Sequence, residues 1–288
     1  MNERFNEIAA KIDRFPSPNP VELKVIHLCA DPQTMVSTLV KTISADQSLT
    51  AKILRIANSN YFNYPRVVHS IDSAVVVLGL GLLKDAALSI SMHHYYKQFK
   101  SLEHFDFQYL WHHSILTALV SRALAEQTDP AQRELYYVAG FLHDIGKWVE
   151  SVTIPDNYHF LVEKSARERV RLFQNERKFL KFHHGEVGSY LIQKWNLPEN
   201  LVIMLRYHHD LEAFSGDETQ WQQIRLLYLG NLMAHYIQGN LKGLKALQQF
   251  DPNLRKYFTY TADELEKTAG HLRKVIQSHQ VIFNIHQI

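Results

Sequence analysis

Apolar residues recur at spacings of three and four along almost the whole chain, and the alternating pattern of a half-buried strand is scarce. Phe5, Ile8, Ala9 and Ile12 form one face of a first helix, which stops before "FPSPNP". Pro16, Pro18 and Pro20 predict an extended hinge that then opens a helix over 20–30. Asp31-Pro32 reads as an N-cap and N1 proline for a helix through "QTMVSTLVKTIS", and a shorter helix follows in "QSLTAKILRIANS". After a turn through "NSNYFNYPR", Ser70 caps a long apolar helix, "IDSAVVVLGLGLLKDAALSISM". Gly79 and Gly81 predict a break or a close helix contact within it. Residues 1–100 thus read as a compact N-terminal helical subdomain.

A second block, 101–288, begins near "HFDFQYLWHH". Its periodicity predicts helices over 106–127, 131–145, 155–181, 184–195, 198–210, 218–238 and 262–279. Asp129-Pro130, Leu197-Pro198 and Thr261 mark starts, while "FSGDE" and "GNLKG" mark turns. No internal repeat or low-complexity tract interrupts it. The expected fold is all-α, a helical bundle core with the N-terminal subdomain beside it.

Several apolar stripes carry polar residues. His113 shares a helix face with Thr117, Val120 and Leu124, and His184 begins the series Gly188, Leu191, Trp195. His208 and His209 follow Leu201, Val202 and Leu205, while Asn231 lies on the line Ile224, Leu227, Ala234. His143 and Asp144 end "YYVAGFLHD". One such residue alone is more often a satisfied core histidine than a ligand. Five helices repeating the pattern reverse that weighting, because buried polar groups need one another or a shared ion. Imidazole suits Fe, Mn, Co, Ni or Zn, and a carboxylate adds charge and can bridge two ions. Gly146 permits a tight turn after the pair, and Lys147 projects an ammonium where an anion such as phosphate would sit.

Composition narrows the picture. Seventeen histidines are the unusual total in 288 residues. The single cysteine, Cys29, excludes an intramolecular disulfide framework and a cysteine-based zinc cluster, and reads as a small buried apolar residue. A formal charge of +2 gives no reason to invoke nucleic acid or a membrane surface as partner. The longest apolar run, "AVVVLGLGLL" at 74–83, is too short to span a bilayer and meets Lys84-Asp85, so a soluble cytoplasmic protein is expected. The basic run "SARERVRLFQNERKFLKFHH" is interleaved with Glu168 and Glu176, as on a solvated helix face. His93, His94 and His104 read as exposed in a polar connector, and His183 as either a neighbour of the ligands or solvent-facing. Asp210 would reach the cluster only if its helix end bent inward.

With that spacing in view, the order His113, "HDIGK", "HHGEVGSYLIQKWNLP", "RYHHD" and a polar residue at 231 resembles the HD superfamily of metal-dependent phosphohydrolases. The segments "FPSPNPVELKVIHLCADPQ", "LVKTISADQSLTAKILRIANSNYF" and "SIDSAVVVLGLGLLKDAALSISM" resemble the opening of the HDOD family, the HD-related output domain. The similarity covers residues 16 to 238. It implies one metal bound by His113, His143, Asp144 and Asn231, and in dinuclear relatives a second bound by His184, His208 and His209 with Asp144 bridging. It also implies that Lys147 contacts substrate phosphate. The chain departs from the pattern at Asn231, where catalytic relatives carry Asp, so coordination there lacks a negative charge. No "GYP" follows His208-His209, which argues against cyclic dinucleotide cleavage by analogy with the HD-GYP group.

The resemblance implies one of two functions. The first is a bacterial signalling or regulatory protein with an HD-type centre of one or two divalent ions (Fe, Mn, Ni or Zn), acting in trans on a signalling protein. The second is a metal-dependent phosphohydrolase acting on a nucleotide or other phosphorylated small molecule, in which Asp144 and Lys147 would be catalytic.

Overall fold

The computed structural model describes residues 3–62, 64–99, 105–239 and 261–284. Those residues are α-helical, with two short 3₁₀ turns and no strand among them. "GNLKG" and His104 lie outside the described residues, wholly or in part. Contacts divide the chain into two compact units, residues 1–15 with 101–276 and residues 16–100 with 277–288. The blocks read from sequence therefore exchange their ends. The first helix, α1 (Glu3–Ile12), belongs with the second block because its apolar face has partners there. Phe5 meets Phe182 and Tyr190 edge-on at 5.5 and 5.9 Å. Lys194 Nζ donates to the carbonyls of Ile12, Asp13 and Phe15 at 2.9, 2.6 and 3.1 Å, fixing the end of the helix.

The unit of residues 16–100 contains α2 (Pro20–Ala30), α3 (Val36–Ser44), α4 (Gln47–Ala57) and α5 (Ile71–Lys97), with α15 (Gln280–Phe283) added from the C-terminal segment. Asn19 caps α2 in a capping box with Glu22, and Ser70 Oγ accepts the Ser73 amide at 3.1 Å to cap α5. Asp31 ends α2 rather than starting α3, which begins at Val36; its carboxylate accepts the Gln33 amide in the intervening turn. α5 is broken at Gly79, whose φ of 75° is open to glycine and costly for other residues, so the break reading holds there. α5 is long and apolar enough to cross a membrane by length and composition, and most of that apolar stretch is buried inside the protein. His93 lies within α5 and is buried, against the expectation of an exposed connector, because the helix continues to Lys97.

The other unit packs α6 (Phe107–Thr128), α7 (Arg133–Leu142), α8 (Ile145–Thr153), α9 (Pro155–Glu168), α10 (Leu172–Phe179), α11 (His184–Lys194), α12 (Glu199–Tyr207), α13 (Glu218–Ile237) and most of α14 (Ala262–Gln277) around one core. Two predictions change here. A separate helix, α8, follows His143-Asp144, and the helix predicted over 155–181 is two. The chain reverses at Arg169, in the left-handed region at φ 55°. That turn redirects the basic run, so part of it faces inward.

Candidate metal centre

The HD pair sits between helices. α7 ends at Leu142, His143 is its C-cap, and Asp144 precedes the first residue of α8. Both side chains are buried. Gly146 does more than permit a turn. A Cβ there would lie 1.8 Å from the His184 carbonyl oxygen, so only glycine lets α8 approach the first turn of α11. That approach places His184 Nε2 3.2 Å from Asp144 Oδ1.

The remaining candidates converge on the same carboxylate. His143 Nε2 lies 3.3 Å and His113 Nε2 3.9 Å from Asp144 Oδ2, while His208 Nε2 lies 3.9 Å from Oδ1. His209 Nε2 is 3.0 Å from His184 Nε2. Asn231 Oδ1 is 3.0 Å from His113 Nε2. Two sets of donor atoms result, each within 4.8 Å of one another: Asp144, His184, His208 and His209, and His113, His143 and Asp144. Asp144 is common to both. All seven residues predicted as ligands are therefore brought to one place.

The hydrogen bonds test whether these residues suit an ion. His143 Nδ1 donates to the Gly140 carbonyl at 2.7 Å, and His208 Nδ1 to the Leu205 carbonyl at 2.6 Å. Each ring is thereby fixed in the tautomer whose Nε2 carries a lone pair. Those two Nε2 atoms, and Asp144 Oδ1, are buried with no hydrogen-bond partner. His113 Nδ1 faces Gln238 Oε1 at 3.2 Å, which likewise turns a lone pair toward Asn231 Oδ1. Lone pairs facing one another without donors are costly to bury, and a shared cation answers them. The donor set fits a divalent ion.

Electrostatics agree. Burial acts to raise the Asp144 carboxyl, but His143 and Lys147 outweigh it and hold its pKa well below the usual carboxylate range. Burial, then neighbouring imidazoles, lower His208 and His209 well below the ordinary value, and burial and His143 push His113 down to about 3. These rings are neutral at pH 7, the form that binds metal. Lys147 Nζ lies 2.6 Å from Asp144 Oδ2, on the rim. It lines two adjoining recesses, one of about 290 Å³ with Tyr158 and His159, the other of about 210 Å³ with Arg171, His209 and His235.

Four residues at the centre are not site candidates in the sequence, and one of them, Glu176, reads there as part of a solvated helix face. Glu176 on α10 is fully buried and accepts both the backbone N–H and the Nδ1–H of His184, at 3.0 and 2.7 Å. Glu150 on α8 is buried beside it, and burial plus the Glu176 charge raise its pKa well above the usual value. His235 stacks on His113 at 4.3 Å between centroids. Its signal was available, four residues beyond Asn231 on the same face. Arg171 Nη2 lies 2.7 Å from His209 Nδ1, an inward arginine from the run read as solvated. His183 is the buried N-cap of α11 rather than solvent-facing, and Asp210 pairs with Arg177 away from the cluster.

Comparison with known proteins follows the same line. A family model described as HDOD domain matches residues 15–211. An uncharacterized protein of Treponema pallidum (strain Nichols) is 25% identical over 275 residues, which are 95% of this chain and 52% of that protein. The chain thus spans about half the length of that curated relative. Among solved structures, an HDOD domain protein of unknown function from Geobacter sulfurreducens aligns over 98% of this chain and 97% of its own, at 23% identity and a TM-score of 0.75. A Shewanella amazonensis protein, inferred by name to be a phosphohydrolase, aligns over 98% of both chains at 19% identity and 0.73. A Marinobacter aquaeolei protein, inferred by name to act in signal transduction, aligns over 99% of this chain and 66% of its own at 19% identity and 0.70. At these identities the structural likeness speaks for the fold. Matched over two thirds of its length and sharing the fold, the chain belongs to the HDOD domain family.

Proposed function

We propose that this chain is a signalling or regulatory HDOD protein built around a divalent-metal centre. His113, His143, Asp144 and Asn231 would hold one ion, and His184, His208 and His209, sharing Asp144, a second. The observation that carries this reading is the pair of buried, partnerless Nε2 atoms of His143 and His208, each aimed by an Nδ1–H bond to a carbonyl. Such second bonds fix ligand orientation in metal sites. Fe, Mn, Ni and Zn all accept this mixture of imidazole and carboxylate. Asn231 adds a neutral oxygen, so the first site carries one negative charge fewer than in a relative with Asp at that position.

A second reading, a metal-dependent phosphohydrolase, is supported by the recesses beside Lys147 and Arg171. A bound divalent ion supplies Lewis acidity toward a phosphoryl oxygen and a hydroxide near neutral pH. The chain's own part would be positional: Lys147 offsets anionic charge at the rim, and Asp144 orients the donors around it. Names borne by proteins of this fold agree with both readings.

Elemental analysis of untagged protein beside Asp144→Ala tests the centre. One or two equivalents of metal in the parent, lost in the variant, are expected. No metal in either sample after reconstitution would sink both readings. If metal is present, a phosphate-ester panel separates them, since turnover abolished by Asp144→Ala favours the hydrolase and no turnover favours the regulatory protein.

A further inference from the structure

The contact between Arg171 and His209 sets a condition on the second metal position. A guanidinium can only donate, so the 2.7 Å contact from Arg171 Nη2 makes His209 Nδ1 an acceptor. A neutral imidazole that accepts at Nδ1 carries its proton on Nε2. That Nε2 faces His184 Nε2 at 3.0 Å, while His184 Nδ1–H is committed to Glu176. In this arrangement His209 presents a proton, not a lone pair, toward the centre. It therefore differs from His143 and His208, whose Nδ1 atoms donate to carbonyls and leave Nε2 open.

The same arginine lines the recess of about 210 Å³ over the centre, together with Lys147, Phe173, His184, His209 and His235. Among the described residues two cationic side chains border it and no carboxylate does. Such a lining attracts an oxyanion, and a guanidinium favours phosphate geometry. Phe173 stacks on His209 at 4.7 Å and lies 4.8 Å from the guanidinium carbon, so arginine and ring share one platform.

We propose that the Arg171–His209 hydrogen bond is a latch coupling anion binding in this recess to metal ligation by His209. A tetrahedral oxyanion, free phosphate or the phosphoryl group of an ester, draws the guanidinium off Nδ1. The imidazole exchanges its Nε2 proton with solvent for one on Nδ1, and Nε2 becomes a ligand atom. Linkage makes the effect reciprocal, so a metal at His209 tightens anion binding by the same factor. This inference rests on the metal-centre reading.

The test uses metal-stripped full-length chain, with free Mn(II) followed by electron paramagnetic resonance in chloride buffer, with and without inorganic phosphate. In the parent, phosphate should tighten the weaker Mn(II) site on the order of tenfold, the weight of one charge-assisted hydrogen bond. Arg171→Met should bind that ion tightly without phosphate and lose the response, and His209→Ala should lack the responsive site. Phosphate sensitivity unchanged in Arg171→Met would overturn the latch. A second readout needs neither variant nor metal. Nitrogen-15 shifts of His209 should show an Nε2–H ring in buffer and an Nδ1–H ring with phosphate; an Nδ1–H ring in buffer alone also overturns it. Mn(II) bound without phosphate linkage rejects the latch and spares the metal centre, whereas no binding of Mn(II), Fe(II), Ni(II) or Zn(II) under any condition rejects the centre itself.

Discussion

The two units bury polar side chains differently. In the unit of residues 16–100, several buried polar groups pair one by one, and among its described residues the buried polar side-chain atoms left without a partner are the hydroxyls of Ser59, Ser89 and Ser91. Glu22 Oε2 accepts the Asn19 amide at 2.9 Å while its other oxygen pairs with His94. Thr42 Oγ1 donates to the Thr38 carbonyl at 2.9 Å, and Asp85 faces His279 at 3.6 Å. In the unit of residues 101–276, His113, His143, Asp144, His184 and His208 instead crowd a single point and leave nitrogen lone pairs unanswered. Dispersed pairs are hydrogen-bond satisfaction, which any core requires. Convergent, partnerless donor atoms are a demand for a ligand, and this contrast is the structural argument for an ion.

The sharpest way to break the contrast is Gly146→Ala. Its Cβ would overlap the His184 carbonyl, which is backbone and cannot step aside. The variant should lose about 3 kcal/mol or more of stability, read by denaturant unfolding, together with its metal. A loss below about 1 kcal/mol would show that the α8–α11 approach is adjustable.

Acid should separate the units next. Burial and nearby charges push His113 and His183 down to about 3, and lower His208, His209 and His235 well below 6.5. The unfolded chain binds protons on these rings near 6.5 while the folded chain does not. Their contribution to stability is therefore complete above about 6.5 and is lost as pH falls toward about 3. Metal-stripped protein followed by circular dichroism should lose stability across that window. A flat profile between pH 7 and 4 would contradict the neutral cluster.

Glu176→Gln sharpens the comparison more gently. The amide can orient to accept from His184 Nδ1–H yet lacks the charge that enhances the ring's basicity, so metal affinity should fall roughly ten-fold or more while the fold persists. Unchanged affinity would make Glu176 a packing residue only. The smallest effect belongs to the other unit. Asn19→Ala removes the α2 cap and should cost about 1 kcal/mol with metal content unchanged. A metal loss there would mean the units do not separate the two kinds of buried polarity.

Much of this was legible in the chain itself. Periodicity 3.6 announced the helices, and polar residues on apolar stripes announced the cluster, because burial of an unpaired imidazole or carboxylate is too costly to be incidental. The failures have a common cause. Glu176 and Arg171 sit in a run whose alternating charges match a solvated helix, and nothing local distinguishes an inward-facing member from an outward one. Only the left-handed turn at Arg169 decided that this run would fold back over the centre. Likewise α1 carries an ordinary amphipathic face, and its assignment to the far block depended on Phe182 and Tyr190, distant in sequence.

Sequence alone thus determined the element types and singled out seven polar residues on apolar stripes as ligand candidates, since these follow from residue identity and local spacing. Tertiary structure decided which nitrogen of each ring faces inward, which carboxylate steadies His184, and that His209 is held by an arginine. Those outcomes depend on hydrogen bonds and approach distances of a few ångströms between separate helices, such as the one Gly146 allows, and no periodicity along a single chain encodes them.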